Sequence, residues 1–210
     1  MDLVAAGVDW MIHRTLRARF RNVYVLGPTE IPRPAIFVAN HHGWHDGYVM
    51  YALLKSLGHP VLDWIQEFGA FPLFGAVGGM PFPADDPAGR AKTIRQTIRR
   101  MNQENRSLML FAEGILHRPP ELLPFGGALE LVAKRVPRAT IFPVAITYDM
   151  SLHERPEVFL QIGDPVAPDE TQSAVQRILN GFNPEDPSWR TLLAGTKDVN
   201  ERMDMRRIPR

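Results

Sequence analysis

Four groups able to do chemistry crowd into six residues of this 210-residue chain: His41, His42, His45 and Asp46, in the run Asn40-His41-His42-Gly43-Trp44-His45-Asp46. A histidine is the side chain best suited to take a proton near neutral pH. It works best when a carboxylate binds its far ring nitrogen, fixing the tautomer and stabilising the imidazolium. A five-residue separation across a turn can bring Asp46 back onto His41. The chain has no cysteine and no serine placed as a nucleophile elbow. The pair therefore suits direct transfer to a substrate hydroxyl better than a covalent intermediate. The same spacing serves two other ends. One is a His–Asp hydrogen bond that only stabilises a turn. The other is a metal held by His41, His42, His45 and Asp46, for a metal-dependent hydrolase. Against the metal stand the missing glutamate of an H-E-x-x-H pattern and Gly43, which weakens a helix there.

Two further stretches carry polar groups or shape that a substrate could use. Phe111-Ala112-Glu113-Gly114 ends an apolar run with a carboxylate, which can grip a hydroxyl or cation, and a glycine that lets the chain turn close to a ligand. The same pattern also fits a strand-to-loop turn with a solvated Glu. From Phe68 to Phe82, small residues alternate with Phe and Leu. Such a segment can line a slot for an alkyl chain or simply pack a core.

The elements that must hold these groups follow from periodicity. Residues 2–20 read as an amphipathic helix with Val4, Val8, Met11 and Ile12 on one face and Arg14, Arg17 and Arg21 on the other. It can lie in a membrane interface or pack on the domain. Short apolar runs at 35–39, 61–66, 107–112, 139–148 and 158–162 read as strands, Pro143 arguing for an edge or a bulge in the fourth. Helices are expected at 46–57, 87–103, 128–136 and 169–180, with another helix after a proline turn at 183–187 and then a charged tail. Strands alternating with helices define an α/β fold, a single domain with a mixed, mostly parallel sheet flanked by helices and preceded by the N-terminal amphipathic helix. The chain divides into that helix at 1–22, an α/β core at 23–167 and a C-terminal helical extension and tail at 168–210.

Composition closes off whole classes of function. Hydrophobic residues make up 45% and charged residues 22%, as in a globular protein. Lys plus Arg number 24 against 23 Asp plus Glu, a net charge of +1 that argues against a nucleic-acid partner. Without cysteine there is no thiol catalysis, no Cys-ligated metal and no disulfide. No stretch reads as a transmembrane helix, and Asp2, Asp9 and the late arginines are unlike a secretory leader.

In order and spacing these pieces resemble the glycerol-phosphate and lysophosphatidate acyltransferase superfamily. Asn40-His41 to Asp46 is similar to its N-H-x4-D block, and Gly78-Gly79-Met80-Pro81-Phe82 to its glycine-led second block. Phe111-Ala112-Glu113-Gly114 resembles its F-P-E-G block, and Leu123-Pro124-Phe125-Gly126-Gly127-Ala128 the segment after it. Ile141-Phe142-Pro143-Val144 resembles its fourth block and Ile162-Gly163-Asp164-Pro165 a late turn. The resemblance covers about residues 20–167. It implies His41 as catalytic base oriented by Asp46, and substrate binding by Gly79, Glu113, Gly114 and Arg118. It also implies an acyl thioester of coenzyme A or acyl carrier protein as co-substrate and a hydroxyl-bearing lipid or alcohol as acceptor. Neither a metal nor a tightly bound cofactor is implied. The work would be done on the inner, cytoplasmic face of a membrane met by residues 2–20, in lipid and phospholipid metabolism, by an enzyme or by a non-catalytic lipid-binding relative. Two departures bear on the acceptor. Ala84 stands where the second block usually carries a phosphate-binding arginine. Ile115-Leu116-His117-Arg118 replaces Thr-Arg-Ser-Arg. A neutral hydroxyl acceptor is therefore expected.

Overall fold

The computed structural model describes residues 2–202. Helix α1 (Leu3–Arg19) starts at Asp2, whose carboxylate accepts the Val4 N–H at 2.9 Å and satisfies a helix-end donor. Its buried face is Val8, Ile12 and Leu16. Val4, expected on that face, is exposed one turn earlier, where α1 has run past its neighbours.

Strand β1 (Asn22–Leu26) follows directly, a strand the periodicity does not announce because Asn22 and Tyr24 alternate with only two buried valines. Then come β2 (Ala35–Ala39), α2 (Asp46–Ser56) and β3 (Val61–Ile65). The Gly/Pro-rich apolar stretch folds as two 3-10 turns, Phe68–Ala70 and Pro72–Val77, and a short strand β4 (Gly79–Pro81). Helix α3 (Pro87–Glu104), β5 (Ser107–Phe111), α4 (Ala128–Arg135), β6 (Thr140–Asp149), β7 (Glu157–Ile162) and α5 (Thr171–Asn180) complete the alternation. The segment after the proline turn, expected as helix, is strand β8 (Arg190–Ala194), followed by the four-residue α6 (Val199–Arg202). Open backbone on the β1 edge decides this, since β8 pairs there antiparallel. The charged tail from residue 203 onward lies outside the described residues.

The strands form one mixed sheet in the order β4-β3-β5-β2-β6-β7-β1-β8. Only β6–β7 and β1–β8 are antiparallel. Pro143 is therefore on an interior strand, not an edge. Its carbonyl accepts the Gly163 N–H at 2.9 Å, just past the last β6–β7 pair, Val144 opposite Ile162. The proline sits where that ladder runs out, so the missing N–H costs little. Side chains of successive strand residues alternate between two cores. One holds Phe37, Val144 and Leu160 against α1 and α2, and the other holds Val38, Leu108 and Ile141 against α3 and α4. Because β2, β3 and β5 are parallel, their carboxyl ends open onto one edge, where α/β sheets place their ligand sites.

Candidate active site

The loop after β2 is fixed first by Asn40. Its side chain is fully buried and imitates a strand residue, Oδ1 accepting the Ile146 N–H at 2.8 Å and Nδ2 donating to the Ile146 carbonyl at 3.0 Å. This clamp onto β6 sets where His41 emerges. The His41 ring stacks on Phe111 of β5 with centroids 4.4 Å apart. Its Nδ1 donates to Asp46 Oδ2 at 3.0 Å. A proton on Nδ1 leaves Nε2 as the lone-pair nitrogen of a neutral ring. With the side chain 24% exposed, His41 borders a cavity of about 630 Å³.

Asp46 is the first residue of α2 and is completely buried. Three donors hold its carboxylate: His41 Nδ1, the Gly43 N–H at 2.8 Å on Oδ2, and the Tyr148 hydroxyl at 2.6 Å on Oδ1. The helix N-terminus adds its positive end. Burial, then the neighbouring Asp46 charge, drive the Tyr148 phenol well above its ordinary value, so it stays a donor. Gly43 is required by crowding, because a Cβ there would run into the Tyr148 ring. Tyr148 is the member of this site that the sequence reading missed. Its only signal is its place at the carboxyl end of β6.

Glu113 ties three segments together. Oε1 accepts the His41 backbone N–H at 2.8 Å, and Oε2 accepts the Leu123 N–H at 2.7 Å and lies 2.5 Å from His117 Nε2. Its carboxylate thus anchors the loop after β2 to the loop after β5, although the residue borders the cavity. Gly114 follows with φ +77°, a conformation that suits glycine, and its N–H closes the turn on the Phe111 carbonyl. Gly79 and Gly114 both line the cavity. Arg118 is exposed and is not among the residues lining it.

The four groups of the metal reading do not converge. His41 is bound to Asp46, His42 Nδ1 takes a hydrogen bond from Asn40 Nδ2 at 3.1 Å, and the His45 ring packs edge-on against Phe20 and Tyr48. Burial pushes the His42 and His45 imidazoles down, Arg19 adding to the effect at His45, so both favour the neutral form. His42, Glu113 and His117 do bring ligand-type atoms within 4.8 Å of one another. The Asn40 contact, however, puts the His42 proton on Nε2, and the Glu113 oxygens already face three partners.

Much of the rest of the cavity wall is apolar or aromatic: Tyr48, Trp64, Phe71, Phe74, Phe82 and Leu129 among others. Ala84 and Leu116, the two positions that depart from arginine, both line it. Arg90 borders it too, but its Nη1 donates to the carbonyls of Pro83 and Ala84. Asp63 on β3 is a half-buried carboxyl in this wall, raised to about 7, chiefly by burial and against the pull of His41. A carboxyl raised in the fold binds more protons than in the unfolded chain, so stability falls as pH climbs from about 4 through about 7. Asp63→Asn is expected to raise the melting midpoint by about 2–6 °C at pH 8 and to leave it nearly unchanged at pH 4. An equal shift at both pH values would show that the burial of this carboxyl is not what the variant relieves.

An α/β sheet with a carboxylate-oriented histidine at its carboxyl edge puts a proton acceptor beside a largely apolar cavity. The chain belongs to the Acyltransferase family, whose sequence pattern matches residues 22–147. Among characterised relatives, it is 28% identical over 143 residues to the 1-acyl-sn-glycerol-3-phosphate acyltransferase of Haemophilus influenzae. That match takes in 63% of this chain and 58% of the relative, so the chain spans little more than half its length. The crystal structure of the 1-acyl-sn-glycerophosphate (LPA) acyltransferase PlsC of Thermotoga maritima shares the fold. The TM-score is 0.62 at 19% identity, over 84% of this chain and 78% of that one.

Proposed function

We propose that this protein moves a fatty acyl group from an acyl thioester, of coenzyme A or acyl carrier protein, to a hydroxyl of a neutral lipid or other alcohol. The observation that carries the reading is His41 Nδ1 on buried Asp46 beside an apolar cavity. His41 Nε2 takes the acceptor's hydroxyl proton as the oxygen attacks the thioester carbonyl. The C–O bond forms, the C–S bond breaks, and the thiolate leaves with the proton returned by the imidazolium. The Phe- and Trp-lined wall suits the acyl chain. Glu113 and Gly114 serve the acceptor by shaping the loop it meets. Gly79 lines the same cavity, and Arg118 would act from the rim.

The neutral acceptor follows from the charges around the cavity. Among the described lining residues Arg90 is the one Lys or Arg, against three carboxylates, Asp63, Glu67 and Glu113. A phosphate prefers a free guanidinium fork, and this wall offers carboxylates instead. Purified protein given acyl thioesters and a panel of alcohols, glycosides and lysophosphatidate tests the reading by thiol release and mass of the product. Acylation of neutral hydroxyls is expected. Turnover confined to lysophosphatidate would overturn the acceptor assignment.

We further propose that residues 2–20 meet the membrane, that 23–167 carry the site, and that 168–202 extend the core, with β8 closing the sheet's edge. Among the described residues no helix is long and apolar enough to cross a membrane. The exposed side of α1 instead carries Leu3 (82% exposed) and Trp10 (60%), with the Arg14 guanidinium 5.1 Å from the Trp10 ring centroid. An aromatic flanked by arginines is suited to lie among lipid head groups. The inner face is where acyl thioester donors would be met. Removing the helix would strip Val8, Ile12 and Leu16 from the core, so surface substitutions make the better probe. Leu3→Glu with Trp10→Glu is expected to cut co-sedimentation with anionic vesicles by roughly tenfold or more. Undiminished sedimentation would remove α1 as the membrane contact.

A further inference from the structure

Asp63 is a polar group on the sheet itself that lines the cavity and that the transfer mechanism leaves unused. Strand pleating puts Val61, Asp63 and Ile65 on one side of β3, and all three line the cavity. Across the ladder Asp63 is level with Met109 of β5, which lies two residues before Phe111, the residue under the His41 ring. On its other side it is level with Gly79, where a Cβ would run into Ile65 and the Phe74 backbone, so the room beside Asp63 lies toward the cavity. Among the described residues no side chain hydrogen-bonds its carboxyl, and neither oxygen is sealed from the cavity. The donor close to it is the Trp64 backbone N–H. A carboxyl without a side-chain partner in an apolar wall is costly to keep.

A carboxyl can serve a hydroxyl in either protonation state, whereas it repels a phosphate. Strands β3 and β2 are separated by β5, two strand spacings or about 10 Å, and through Met109 Asp63 is level with Phe37, four residues before His41. Both His41 and Asp63 line the one cavity, and a polyol head group with a hydrogen bond at each end can bridge them. We propose that Asp63 is a specificity-determining residue that takes a second hydroxyl of a polyol acceptor, a glycoside head group, while His41 acts on the first. This rests on the neutral-acceptor reading above and names the acceptor class within it.

Octyl glucoside and 1-octanol share one tail and differ in the polyol head, so they separate the two hydroxyls. Wild type, Asp63→Leu and Asp63→Asn are each given palmitoyl thioesters of coenzyme A and of acyl carrier protein with octyl glucoside, 1-octanol or lysophosphatidate. Wild type is expected to prefer the glucoside. In Asp63→Leu the ratio of kcat/KM for glucoside over octanol should fall roughly 10- to 100-fold, the worth of a hydrogen bond to a charged group. Asp63→Asn, which keeps an acceptor oxygen and the side-chain volume, should fall less. A wild-type enzyme without preference for the glucoside, or a ratio that Asp63→Leu leaves unchanged, overturns the role of Asp63 alone. Turnover of lysophosphatidate alone overturns the neutral-acceptor reading and this inference with it. Absence of His41-dependent turnover on all three overturns acyl transfer itself.

Discussion

His41→Ala is expected to lower kcat by about 10²- to 10⁴-fold, the usual worth of a general base. KM should move little, because Nε2 does its work on a proton that leaves only in the transition state. The fold should survive. The backbone N–H of residue 41 still donates to Glu113 Oε1, and Asp46 keeps the Gly43 N–H and the Tyr148 hydroxyl. What is lost besides the base is the stacking on Phe111 and one of the three hydrogen bonds to buried Asp46. A circular-dichroism spectrum matching wild type alongside a loss of that size would tie the defect to chemistry. Turnover within fivefold of wild type, with the same acceptor saturating it, would remove His41 from the reaction.

The His41–Asp46 pair was legible in the sequence because both residues lie within one short loop. The Asn40-His41 to Asp46 spacing spans a strand end and a helix start, and such local geometry is set by a few dihedral angles. The strands that bury themselves on both faces, such as Ala35–Ala39, were legible for a similar reason, being continuous apolar runs. Partners that come from afar were not. Tyr148 reaches Asp46 across 102 positions of chain, and no local pattern marks it. Glu113 was legible as a residue that matters, but not as one whose oxygens are spent on the His41 amide, Leu123 and His117. Those bonds follow from β5 lying beside β2. Strands β1, β4 and β8 escaped notice because each is short and at least half of its residues are partly exposed. They exist through pairing with neighbours and not through their own composition. Pro143 misled for a related reason, since a missing N–H matters only where the neighbouring strand continues.

Asp46→Asn offers the sharper dissection, because it changes charge while almost preserving shape. Gly43 donates its N–H to Oδ2, and so holds an oxygen, not an amide nitrogen, at that position. His41 Nδ1 therefore keeps an acceptor and the ring keeps its tautomer. The Tyr148 hydroxyl can turn to accept from the new amide. What disappears is the buried negative charge that steadies the imidazolium as the hydroxyl proton arrives. A loss of about 10²- to 10³-fold in kcat is expected from the missing charge, less than the roughly 10⁴-fold of triads in which the same change also imposes the wrong tautomer. Tyr148→Phe should lose far less activity, since the charge stays, though it strands a buried oxygen at a cost of about 1–3 kcal/mol in stability. The decisive measurement is the double variant. If Asp46 acts only through His41, Asp46→Asn adds almost nothing to His41→Ala, and the two losses fail to multiply. If instead they multiply, Asp46 works on the substrate by a route of its own, and the positioning role argued from the 3.0 Å Nδ1–Oδ2 contact falls.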